Sequence, residues 1–185
     1  MMRNEIMQAI SEQFHDCGYW KDSEVNSSAF WTNKIKAALE SAKAGMILEL
    51  RYTNRSEGNN INWEFLYDFV YLDTGKKDVG NGYFEDEHLI KRVAAIVESE
   101  FNGNPKEILY DFAKLLLGRA DLKVMIFYNG SNEGSAQIIS EMKRMIKAFT
   151  QSILNEEYLI CWFNHDVKNF SYVLLDGKGT QLKIQ

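Results

Sequence analysis

Eight consecutive residues, 65–72, are apolar or aromatic at every place except one, Asp68, and this run limits the fold more than any other part of the chain. A period of two puts Phe65, Tyr67, Phe69 and Tyr71 on one face and Leu66, Asp68, Val70 and Leu72 on the other, so residues 63–72 read as a strand. An uncompensated carboxylate inside such a strand is expensive, so Asp68 calls for a partner. A second run, Val93-Ala94-Ala95-Ile96-Val97, ends in the same way on Glu98, with Glu100 two places further on. In a strand those two glutamates project from one face. Antiparallel pairing of the two runs, with the reversal centred near residue 83, brings Asp68 beside Glu98.

The flanking segments set the fold class. Helical spacing of Ile6, Met7, Ile10 and Phe14 predicts a first helix over 2–14, and Phe30, Trp31, Ile35, Ala38, Leu39 and Ala42 predict a second over 29–44. Residues 46–52 read as a strand. Residues 73–82, with three glycines and two lysines, read as a reversal, and at least the second half of 89–100 reads as a strand. Helices are expected over 106–117, entered through Pro105 and closed by Gly118, and over 135–150. Further strands are expected at 124–128, 158–163, 170–175 and 181–184, with Gly177-Lys178-Gly179 as a hairpin turn. A meander followed by two helical crossovers predicts one α/β domain with a mixed central sheet flanked by helices.

Several chemistries are excluded by what the chain lacks. His15, His88 and His165 are scattered without zinc spacing, and Cys17 and Cys161 make neither a disulfide framework nor a Cys-x-x-Cys pair, so both read as reduced thiols. There is no phosphate-binding loop and no Gly-x-Ser-x-Gly elbow. No stretch is apolar enough for a membrane span and no leader pattern opens the chain, so a soluble, cytoplasmic protein is expected. A net charge of −5 argues against a general basic coat, although Arg51, Arg55, Lys143, Arg144 and Lys147 leave room for a local basic face.

The order helix, strand, Asp68-bearing strand, Glu98-x-Glu100 strand, helix, strand resembles the PD-(D/E)XK nuclease superfamily, the restriction-endonuclease-like fold, over residues 30–165. Phe65-Leu66-Tyr67-Asp68-Phe69-Val70-Tyr71-Leu72-Asp73 is similar to the strand with that family's first aspartate, and Ala95-Ile96-Val97-Glu98-Ser99-Glu100 to its second motif. The resemblance divides the chain into an N-terminal helix and loop (1–28), a nuclease-like core (29–165) and a C-terminal strand extension (166–185). It implies Asp68, Glu98 and Glu100 as catalytic residues, and Asp68, Glu98 and Glu40 as ligands of Mg2+, with Mn2+ as a substitute; Glu49 competes with Glu40. It departs from the family in two places. Glu100 stands where lysine is usual, with Lys114 on the next helix as a displaced positive charge or simply a surface lysine, and Tyr67 replaces the proline before the first aspartate.

The expectation is a Mg2+-dependent nuclease hydrolysing phosphodiester bonds in DNA. The alternative is a catalytically inactive nuclease-like domain that binds protein or nucleic acid. A third reading, an oligomeric structural protein such as a homodimer, rests on Trp20, Trp31, Trp63 and Trp162 lying at an interface.

Overall fold

The computed structural model describes residues 2–15, 28–43, 49–52, 66–76, 88–151 and 155–184. Two helices come first, α1 (Met2–His15) and α2 (Ser28–Lys43), followed by β1 (Glu49–Tyr52), β2 (Phe69–Lys76) and β3 (His88–Glu100). Helix α3 (Pro105–Leu117), β4 (Leu122–Phe127), α4 (Asn132–Ala148), β5 (Glu157–Asn164), β6 (Asn169–Asp176) and β7 (Gln181–Leu182) follow among the described residues. The seven strands form one sheet in chain order. Pairing is antiparallel from β1 to β3, parallel from β3 to β5, and antiparallel again to β7. Parallel neighbours need a long crossover, which α3 and α4 supply. The α/β class and the mixed, helix-flanked sheet are therefore as the sequence predicts.

Alternation within the strands sorts the side chains into two cores. Phe69, Tyr71, Ala95, Val97, Val124 and Ile126 meet α1 and α2 through Ile10, Phe14, Trp31 and Ile35. Val70, Leu72, Ile96, Met125 and Phe127 meet α3 and α4 through Ile108, Phe112, Leu115 and Met142. Strand β4 is buried along its whole length, as a strand covered on both faces must be. Trp31 stacks on Phe101 with ring centres 5.2 Å apart and is 1% exposed, so it belongs to the interior rather than to an interface. Trp162 is half-buried, and Trp20 and Trp63 lie outside the described residues.

Two strand boundaries differ from expectation. Residues 66–68 form a bend and β2 starts only at Phe69, so Asp68 stands immediately before the strand rather than within it. The ladder then runs on through Thr74, Gly75 and Lys76, where a reversal was expected. Residues 77–82, the rest of that reversal, and 63–65, the expected strand start, lie outside the described residues. The hairpin at Gly177-Lys178-Gly179 is present: the Asp176 carboxylate accepts from the Lys178 and Thr180 N–H groups, and Gly179 takes a φ of +71°. Among the described residues no helix is long and apolar enough to cross a membrane.

Candidate active site

The antiparallel register pairs Phe69 with Val97 and Val70 with Ile96, which centres it on residue 83 and places Asp68 level with Glu98. The ladder does not continue through Asp68, because its side chain takes over. Asp68 Oδ2 accepts from the Ser99 backbone N–H at 2.8 Å and from the Ser99 hydroxyl at 2.9 Å. A short acidic side chain that satisfies a strand N–H in this way competes with regular pairing, and that is the physical reason the strand begins only after Asp68.

Glu98 points to the α3 side of the sheet. Helix α3 is fixed there by its entrance, where Asn104 Oδ1 accepts from the Lys106 N–H at 3.0 Å ahead of Pro105, and by a buried stripe of Ile108, Phe112, Leu115 and Leu116. Asp111 and Lys114 lie on the border of that stripe. Lys114 Nζ donates to Glu98 Oε2 at 2.8 Å and sits 3.0 Å from Asp111 Oδ1. Lys114 is therefore not the solvated surface lysine that its position on a helix allows, but part of the site. Tyr67, on the bend, directs its hydroxyl to the Lys114 carbonyl at 3.5 Å.

Glu98 is 1% exposed, and among the described residues its Oε1 has no hydrogen-bond partner. Burial pushes its carboxyl up to about 8, the neighbouring Asp68 adds to this, and Lys114 opposes it. Burial also raises Asp68, against the two Ser99 hydrogen bonds that favour its ionised form. Lys114 is raised because its bonds to Glu98 and Asp111 outweigh its own desolvation. Glu100 is half-buried and raised by burial first, with Oε1 accepting from the Asn102 N–H at 2.8 Å and Asp111 nearby.

Of the residues singled out by sequence, Asp68 binds Ser99, the residue after Glu98, and lies close enough for its charge to act on Glu98, while Glu100 lies one alternation beyond. Glu40 does not join them. It is exposed on α2, a helix that packs on the opposite face of the sheet. Glu49 opens β1 opposite Leu72, away from the Asp68 end of β2. Asp111 and Ser99 were missed; the signal for Asp111 was its i,i+3 spacing from Lys114 beside the apolar stripe. His165 is tied into the loops, with Nε2 2.7 Å from the Asn129 carbonyl oxygen. Among the described residues no group of three or more His, Cys, Asp or Glu side chains is arranged to hold a metal ion. Asp68 and Glu98 still fit a hard divalent ion in donor chemistry, because a buried carboxylate oxygen without a hydrogen bond is costly unless a cation or proton satisfies it. Comparison of the chain with protein-family models, with curated proteins and with solved structures finds no match.

Two predictions arise at this site. The unfolded Glu98 titrates near 4.5 and the folded one near 8. Below the lower value the carboxyl is protonated in both states. Between the two the unfolded chain sheds the proton while the folded chain keeps it, so stability falls across that window. Glu98→Gln does not titrate, so its urea midpoint should gain steadily on the wild type as pH rises through the window. A difference that stays constant with pH refutes the assignment.

The second concerns Gly118, the C-cap of α3, where a Cβ would overlap the Tyr67 hydroxyl and the Ile96 side chain. Its φ of −77° suits any residue, so the constraint is space alone. Gly118→Ala should cost about 1–3 kcal/mol, the usual range for overpacking, and loosen the bend that carries Asp68. A melting temperature equal to that of the wild type would show that the contact yields freely.

Proposed function

We propose that this chain is a metal-dependent nuclease of the restriction-endonuclease-like type, hydrolysing phosphodiester bonds in DNA. One observation carries the reading: Glu98, buried in β3, lies beside a lysine and within charge range of Asp68 on the bend before β2, and one Glu98 oxygen is unsatisfied among the described residues. Asp68 and Glu98 are the residues that would hold Mg2+ or Mn2+. Bound there, the cation would polarise a phosphoryl oxygen and lower the pKa of a water.

The chain's own groups supply the rest. Ser99 holds the Asp68 carboxylate through two hydrogen bonds, which fixes its orientation. Lys114 carries a positive charge suited to a phosphate oxygen, the role left open by Glu100 in the usual lysine position. Glu100, half-buried and raised by burial, would accept a proton from an attacking water. The test is cleavage of plasmid and oligonucleotide DNA, with RNA in parallel, in the presence of Mg2+ or Mn2+ and of a chelator. Cation-dependent, chelator-sensitive cleavage supports the reading, and its absence with both metals on all substrates rejects it.

A second reading has an observation of its own. Lys114 already neutralises Glu98, and the net charge of −5 is unfavourable for a general DNA coat. A nuclease-like domain without catalysis, used for protein or nucleic-acid binding, is consistent with both. Retention of DNA in a chelator-treated mobility-shift assay, without cleavage when metal is restored, favours it.

A further inference from the structure

We infer that Lys114 is the resident counter-ion of the carboxylate cluster, an ammonium that closes the site and that a divalent cation must displace; this rests on the metal-site reading above. Its Nζ lies 2.8 Å from Glu98 Oε2 and 3.0 Å from Asp111 Oδ1, and close enough to Asp68 to act on its charge. An ammonium and a hard dication seek the same carboxylate oxygens, and two positive charges at such range repel. One of them has to leave.

The surroundings decide which group moves. Glu98 is 1% exposed and held in the middle of the sheet, and Asp68 is pinned by two bonds from Ser99. The Lys114 side chain is 33% exposed, on a flexible four-carbon stem at the border of the buried stripe of α3. Asp111, on the same helix, gives the ammonium a second partner when it releases Glu98. The lysine is thus the movable member of the cluster, and the unsatisfied Glu98 Oε1 is the oxygen already waiting for a cation. A lysine that only assisted a bound metal would leave affinity unchanged or lower on removal. Removal of a lysine that competes with the metal raises it.

The experiment is calorimetric titration of Mn2+ and of Mg2+ into the full chain at one mildly alkaline pH, where protons compete least. Wild type, Lys114→Met, Lys114→Gln and Lys114→Arg are compared, each with its fold checked by circular dichroism. Removing the charge in the Met and Gln variants should tighten binding by about tenfold or more, while the Arg variant stays as weak as the wild type. Binding in the Met variant should vanish when Asp68→Asn is added. If folded Met and Gln variants bind no more tightly than the wild type, yet binding still depends on Asp68, the counter-ion role is wrong and the metal site stands. If none of the folded variants binds either metal, both fail together.

Discussion

Asp68→Asn should abolish cation-dependent cleavage of DNA while leaving the fold in place. Asparagine keeps a carbonyl oxygen where Asp68 Oδ2 now accepts from the Ser99 N–H and hydroxyl, so the end of the β2–β3 ladder retains its partner. What the substitution removes is the negative charge. Metal-assisted charge stabilisation is worth several kcal/mol, so a rate loss of roughly a thousandfold is expected. Alanine is the poorer probe, because it leaves a half-buried N–H without an acceptor, at a cost of about 1–3 kcal/mol, and so mixes lost folding with lost chemistry. Single-turnover cleavage rates, with unfolding midpoints alongside, separate the two effects. An Asn variant cleaving within about threefold of the wild type would remove Asp68 from the mechanism, since a charge worth several kcal/mol cannot be lost so cheaply.

The largest effect on stability is expected at a different ion pair. Lys123, in β4, has its ammonium wholly buried 2.9 Å from Glu156 Oε2, itself almost fully buried. Lys123 Nζ also donates to the Tyr158 hydroxyl at 3.2 Å, and Tyr158 donates in turn to Glu156 Oε2 at 3.2 Å. Desolvation lowers the lysine, and the carboxylate holds it up. Lys123→Met fits the volume but strands the Glu156 charge in the core, at a cost of about 3–5 kcal/mol. The converse, Glu156→Gln, should cost less, because the lysine can shed its proton in response. The double variant should recover a large part of the loss, since a buried pair replaced as a pair is often near neutral. Urea midpoints for the four proteins measure this. A Lys123→Met loss below about 1 kcal/mol would mean that water reaches the pair or that the pair is not formed.

The fold was largely legible because period and punctuation agree in most elements. Helix α2 follows Trp31, Ile35, Ala38, Leu39 and Ala42, and α3 is bracketed by Pro105 and Gly118 as the sequence signals. The β2–β3 register was legible from a reversal centred near residue 83, which the Phe69–Val97 and Val70–Ile96 pairs match. The late start of β2 was not, because the hydrophobic pattern passes through Asp68 without a break and only its bonds to Ser99 interrupt the ladder. Lys114 stood on a helix border, where spacing does not distinguish a solvated lysine from one that reaches a carboxylate on the sheet below. Lys123 was hidden further, since a lysine within an apolar strand has no local signal that names its partner thirty-three residues away on Glu156. Glu40 shows the reverse limit: its place along the chain can be read from sequence, but only the layer to which α2 packs sets it on the face of the sheet opposite Glu98.

Because the strands are laid down in chain order, each one meets a neighbour that has already been made. On a ribosome, which delivers the chain from its N-terminus, Asp68, Glu98, Ser99, Asp111 and Lys114 are all synthesised before the first residue of β4. The carboxylates therefore emerge ahead of the strands that bury their surroundings, and so does Lys114, the ammonium that Glu98 and Asp111 share in the folded chain.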